Sequence, residues 1–233
     1  MSATARSVAG VLAGTAVLAL TGCGGGETGD PPEDLQGRLD MAKQSLDEAA
    51  SVAFSMSTES LPSGVSGLLD ADGVGTHTPA FEGEGHVVTG GATLPIDLVS
   101  VAGEVYAKVG FVPTYFPIDP GSYGAPDPAA LLDPETGVST FLTSTEAVAG
   151  GEPSREGEEV LTTISGTLAG QTVQTLIPSA DSAADFAVEY GLTDDDELRS
   201  AVVTGPFYPG SDDVTYTLSL DPSDQVVKIT APT

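Results

Sequence analysis

Few residues in this chain have the types and spacing that make or break bonds. Its 233 residues include one cysteine, Cys23, and two histidines, His77 and His86. A catalytic histidine needs a nucleophile or a metal partner at fixed spacing, and neither His-Glu-x-x-His nor Gly-x-Ser-x-Gly occurs. His86 lies in an alternating stretch and reads as an outward-facing surface residue. Gly83-x-Gly85 matches half of a dinucleotide fingerprint, but Val88 stands where the third glycine belongs and no helix opens there. Strand glycines under a close-packed helix or a ligand explain the pair better. Asp70-x-Asp72-Gly73 and Asp194-Asp-Asp196 offer oxygen ligands, yet both lack the spacing of a calcium loop and its closing glutamate. They read as solvated turns. The expectation is no catalytic residue, no metal and no cofactor.

The chemistry that remains is that of Cys23. The chain opens with one cation, Arg6, and runs from Ser7 to Thr21 through apolar or small residues with no acid among them. That is a signal peptide, shorter than the roughly 20 apolar residues of a membrane-spanning helix. Its end, Leu20-Thr21-Gly22-Cys23, resembles the bacterial lipobox: an aliphatic residue, two small ones and the cysteine that receives diacylglycerol. The reading is a signal over 1–22, cleavage before Cys23 and acylation there, with several acyl chains holding better than one. The protein is then expected on the outer face of the cytoplasmic membrane, in a periplasm-like space. A single cysteine also excludes an intramolecular disulfide.

Charge narrows the partners. Thirty-four acidic residues against seven cationic ones give a net charge of −27. Such a surface repels phosphate backbones, so nucleic acid is not an expected partner. Adsorption to anionic lipid needs clustered Lys and Arg, which are missing, so the anchor must hold the chain to the membrane.

The elements that must position anything else follow from periodicity. Residues 23–32 are Gly-, Asp- and Pro-rich and read as a flexible tether, leaving 33–233 as one domain. Between Asp34 and Ala50, Leu35, Leu39, Ala42, Leu46 and Ala49 form one stripe of an amphipathic helix. The period then becomes two. Alternating strands are expected around Val52–Met56, Phe81–Val87, Leu94–Leu98, Glu104–Val109, Val160–Leu168, Phe186–Leu192, Leu198–Val203, Val214–Leu220 and Val226–Ile229. Prolines from Pro113 to Pro134 dictate a loop with short helical turns, one at Pro128–Leu132. A helix over Glu135–Leu142, with Val138, Phe141 and Leu142 as its apolar face, and another over Gln171–Ile177 complete the set. Repeated alternation means an antiparallel sheet with one wet and one covered face.

The stretches Gly83-Glu-Gly-His-Val-Val88, Leu94-Pro-Ile-Asp-Leu98, Gly103-Glu-Val-Tyr-Ala-Lys108, Leu131-Leu-Asp-Pro-Glu-Thr-Gly-Val138 and Val226-Val-Lys-Ile-Thr-Ala-Pro232 resemble the LppX/LprAFG family of actinobacterial lipoproteins. The resemblance implies an α+β fold: one large curved antiparallel sheet, a half-barrel, with helices on its concave face around an apolar cavity. It also implies a cavity that takes acyl chains of glycolipids or triacylglycerols, and transport toward the outer envelope, sometimes beside a membrane lipid exporter.

The lining expected for such a cavity is the apolar parity of the strands: Phe54, Met56, Phe81, Val87, Ile96, Leu98, Val160, Ile164, Phe186, Val188 and Tyr216, with Phe141 and Leu142 from the covering helix. The same residues serve equally as an ordinary packed core. A structural or signalling lipoprotein acting by contact with an exporter or sensor therefore stays open. A binding protein for a polar solute or metal is disfavoured, because it calls for parallel strand-helix-strand units.

Overall fold

In the computed structural model, residues 34–123 and 125–232 are described; the expected signal segment, Cys23 and the tether lie outside them. The first element is helix α1 (Leu35–Glu48), capped by the Asp34 carboxylate, which accepts from the Gly37 amide at 3.0 Å. Its expected stripe is the buried one: Leu39, Ala42 and Leu46 are almost completely covered.

Six strands follow: β1 (Ser51–Ser57), β2 (Gly67–Thr76), β3 (Ala80–Thr89), β4 (Ala92–Val101), β5 (Glu104–Val109) and β6 (Phe116–Ile118). Two 3-10 turns, Pro120–Tyr123 and Pro128–Leu132, carry the chain through the proline-rich passage. Then come α2 (Ser139–Ser144), β7 (Glu146–Gly150), β8 (Ser154–Glu156), β9 (Glu159–Ala169), α3 (Gly170–Leu176), β10 (Asp185–Leu192), β11 (Leu198–Gly205) and β12 (Val214–Ser223).

All twelve strands belong to one open antiparallel sheet, in the order β6-β5-β4-β3-β2-β1-β12-β11-β10-β9-β7, with β8 pairing β9 beside this path. The first and last strands meet at its centre, where Phe54 stands opposite Leu220. Two wings result, β1 to β6 on one side and β7 to β12 on the other.

The helices favour the second wing. Helix α1 packs on α2 and reaches β7 and β11, while α3 lies on β9 and β10. Leu39, Leu46, Phe141, Leu142, Val173, Ile164, Leu168, Phe186 and Val188 share one buried cluster, which defines the inner face of the sheet. Over β2, β3 and β4 the principal cover is the Pro128–Leu132 turn.

Three expectations need correction. Asp70-x-Asp72-Gly73, expected as a solvated turn, lies inside strand β2, which shows no apolar alternation because its inner-face residues are Ala71, Gly73 and Gly75, facing Gly85, Gly83 and Phe81 of β3. The helix expected at Glu135 starts at Ser139 instead. The Asp133 carboxylate takes the Glu135 and Thr136 amides at 2.9 and 2.8 Å, which closes a turn before the helix begins. Finally, Val226–Ile229 is not a strand. Strand β12 is flanked by β1 and β11, and β1 begins opposite Ser223, so the chain beyond has no free strand edge.

Candidate functional site

Register places six expected lining residues together on the inner face of the first wing. Phe54 pairs with Gly73, Gly73 with Gly83 and Gly83 with Leu98; Met56 pairs with Ala71, Ala71 with Gly85 and Gly85 with Ile96. Phe81 lies against Phe54, ring centroids 5.4 Å apart, and Val87 pairs with Leu94. Phe81 and Ile96 are buried, whereas Phe54, Met56, Val87, Leu94 and Leu98 are only half-buried. On the second wing Ile164, Phe186, Val188 and Tyr216 join Phe141 and Leu142 in the buried cluster.

Val160 is the exception. It is 51% exposed and belongs to no inner lining. The next residue, Leu161, of opposite parity, is buried on the other face, lying where the absent side chain of Gly191 leaves room, 2.8 Å from a Cβ built there.

Glycine shapes the first wing. A Cβ at Gly73 or Gly83 would fall 2.6 Å from the Phe81 ring, and one at Gly75 would fall 2.6 Å from Leu132 Cδ1. The ring and the leucine thus lie directly on bare backbone. Gly85 admits the Asp70 carbonyl oxygen 2.1 Å from where a Cβ would stand, a separation no side chain allows. The half-fingerprint Gly83-x-Gly85 therefore reflects close strand approach and an aromatic seat.

The Pro128–Leu132 turn is fastened over this wing at both ends. Buried Ser100 donates to Asp127 Oδ1 at 2.6 Å, and the same oxygen accepts the Ala129 amide at 3.0 Å. His77, in the turn between β2 and β3, sets Nδ1 2.6 Å from the Leu132 carbonyl oxygen and Nε2 2.9 Å from that of Leu46. Through these two contacts the ring ties α1 to the turn. Lys43 donates to the Pro134 carbonyl at 2.8 Å. Sequence pattern could not reveal these ties, since each joins positions far apart in the chain.

A crevice of about 610 Å³ opens where the proline-rich passage meets β5, β6 and the end of α3, bordered by Val105, Ile118, Ala130 and Leu176. Val105 and Ile118 share the inner face by register, as Ser100 pairs with Val105 and Val105 with Ile118. A second hollow of about 380 Å³ is lined by Ser165, Thr167, Glu189 and Thr204, whose alternation with buried Ile164, Val188 and Val203 puts them on the opposite face.

Ionisable groups serve structure. Burial pushes Tyr190 up to about 12, against the effect of its 2.9 Å contact with Thr145. Burial also pushes Tyr216 up; its hydroxyl donates to the Leu68 carbonyl at 2.8 Å and meets Tyr208 at 2.7 Å. Leu68 adjoins the point where the β2–β3 register slips. Backbone amides hold the Asp133 carboxyl below its usual range. Of the acidic runs, Asp70 pairs with His86 at 2.8 Å on the outer face and Asp196 pairs with Arg38. No cluster of three metal-ligating side chains occurs among the described residues, nor does a helix long and apolar enough to cross a membrane. The first wing offers apolar area rather than reactive groups.

The comparisons agree with this architecture. LprF from Mycobacterium bovis superposes with a TM-score of 0.67 at 15% identity, covering 85% of this chain and 96% of that one. The Mycobacterium tuberculosis lipoprotein LppX gives a TM-score of 0.59 at 14% identity, covering 84% and 98%. No curated protein matches the sequence. The family model of the LppX_LprAFG lipoproteins matches residues 33–227, from the start of α1 to beyond β12, and the chain belongs to that family.

Proposed function

We propose that this protein is a lipoprotein anchored through Cys23 to the outer face of the cytoplasmic membrane, which binds acyl lipid, a glycolipid or triacylglycerol, and carries it toward the outer envelope. The lipid lies on the inner face of the first wing, on the concave side of a half-barrel, against Phe54, Met56, Phe81, Val87, Ile96 and Leu98. The observation that supports this reading is unequal cover: these strands keep apolar side chains half-buried beside a glycine floor, under one short turn. Each methylene moved from water contributes about 0.8 kcal/mol, so a dozen contribute roughly 10 kcal/mol before ordering costs. No charged anchor is required. Organic extraction of protein purified from its native host, followed by mass spectrometry, is expected to release acyl lipid in near-stoichiometric amount. Protein that is consistently lipid-free overturns the proposal.

A second reading has its own support. Ile164, Phe186 and Leu142 are 0% exposed, as in a solid core. A structural or signalling lipoprotein that touches an exporter or sensor needs no more than that, and it predicts empty extracts.

A further inference from the structure

The loop between β5 and β6 stands apart from the rest of the surface. From Val109 to Ile118 ten consecutive residues carry no charge, in a chain with 34 acids. Phe111 is 99% exposed and Val112 44%, with Phe116 at 39% on the edge strand beside them. The nearest cation in sequence, Lys108, is engaged by Asp97. An aromatic ring held wholly in water at the tip of a hairpin contributes nothing to the fold. Tyr and Phe at such a tip match the boundary between headgroups and acyl chains.

The tip also continues the half-buried inner face. Ile96 pairs with Val109, and a Cβ at Gly110 would lie 3.9 Å from Leu94 Cδ2. Leu94 pairs with Val87, and Val87 with Leu68. An apolar track thus runs from the exposed hairpin across the ends of β4, β3 and β2.

We infer that the Gly110–Phe116 hairpin tip inserts into the surface of a lipid bilayer, seating the open end of this track on the membrane. The inference rests on the carrier reading for its purpose, though not for its geometry. The bilayer is the occupant because of reach: ten residues lie between Cys23 and Asp34, which even fully extended span no more than about 40 Å. A domain of some 200 residues has a radius of gyration of about 16 Å. A tether so short keeps the domain against the membrane. Insertion must be apolar rather than electrostatic, since the net charge of −27 repels anionic lipid.

The absence of tryptophan makes the test direct. In the chain from residue 23 onward carrying Cys23→Ser, so that neither the apolar leader nor an acyl anchor contributes, F111W supplies the sole tryptophan. With phosphatidylcholine vesicles its emission is expected to shift to the blue and to be quenched by lipids brominated along the acyl chain. Adding phosphatidylglycerol should weaken binding and salt should restore it. F111D should lower partition about tenfold or more, with its melting curve unchanged because the side chain touches nothing, while F111L should retain binding. An unshifted, unquenched emission overturns the inference, as does F111D binding like the parent. Quenching by lipid with lipid-free extracts would leave the insertion standing and remove the carrier; extracts rich in lipid without quenching would do the reverse.

Discussion

The two wings of one sheet share a hydrogen-bonding pattern and differ in what lies upon them. On the second wing the inner positions hold large apolar side chains, Ile164, Leu168, Phe186, Val188 and Tyr190, and three helices close over them. On the first wing the same parity alternates Phe54 and Leu98 with Ala71, Gly73, Gly83 and Gly85, and the principal cover is a five-residue 3-10 turn. The contrast teaches that a sheet can keep one half as its stable core and leave the other half with unsatisfied apolar area. Close packing maximises contacts and leaves no vacancy, so one surface cannot supply both stability and room for a guest.

The largest expected effect attacks the closed wing through its tyrosines. Tyr190 ionises near 12 in the folded chain rather than near 10, so its contribution is intact below pH 10 and is lost as pH rises through 12. Absorbance at 295 nm and circular dichroism followed together should show Tyr190 ionising only as the fold collapses. Ionisation of all six tyrosines near pH 10 with the fold intact would contradict the closed wing.

Phe186→Ala comes next. The ring is 0% exposed and meets Phe207 edge-on at 5.0 Å, so urea denaturation should show a loss of about 3–5 kcal/mol. The matching change on the open wing, Leu98→Ala, removes a half-buried side chain and should cost about 1 kcal/mol. Equal losses at the two positions would erase the distinction between wings. The smallest effect belongs to Val160→Thr, expected within about 0.5 kcal/mol because the residue is half in water.

Both wings were readable where apolar side chains alternate. Strand β10 alternates from Phe186 to Tyr190 as it is buried, and the stripe of α1 is the stripe its spacing predicts. On the open wing β1, β3, β4 and β5 were legible in the same way, but β2 was not, because it depends on what glycine lacks. Nothing in Gly67-Leu-Leu-Asp-Ala-Asp-Gly-Val-Gly-Thr76 announces a strand until Phe81 and Leu132 are seen resting on its backbone. Val160 fits the parity of β9, but it stands half in water where β9 pairs with β8, while Leu161, of the opposite parity, is buried on the other face in the space Gly191 leaves. The His77 clasp takes two backbone carbonyls, which every residue owns, so no residue type could have marked its partners.

The pairing of β1 with β12 has a kinetic consequence. Ser51 must find Ser223 before the wings become one sheet, and contacts this distant along a chain form slowly. Until the final strand has emerged, no central seam exists. Truncation before Val214 would remove the keystone rather than an edge, leaving two meanders with no hydrogen-bonded seam between them.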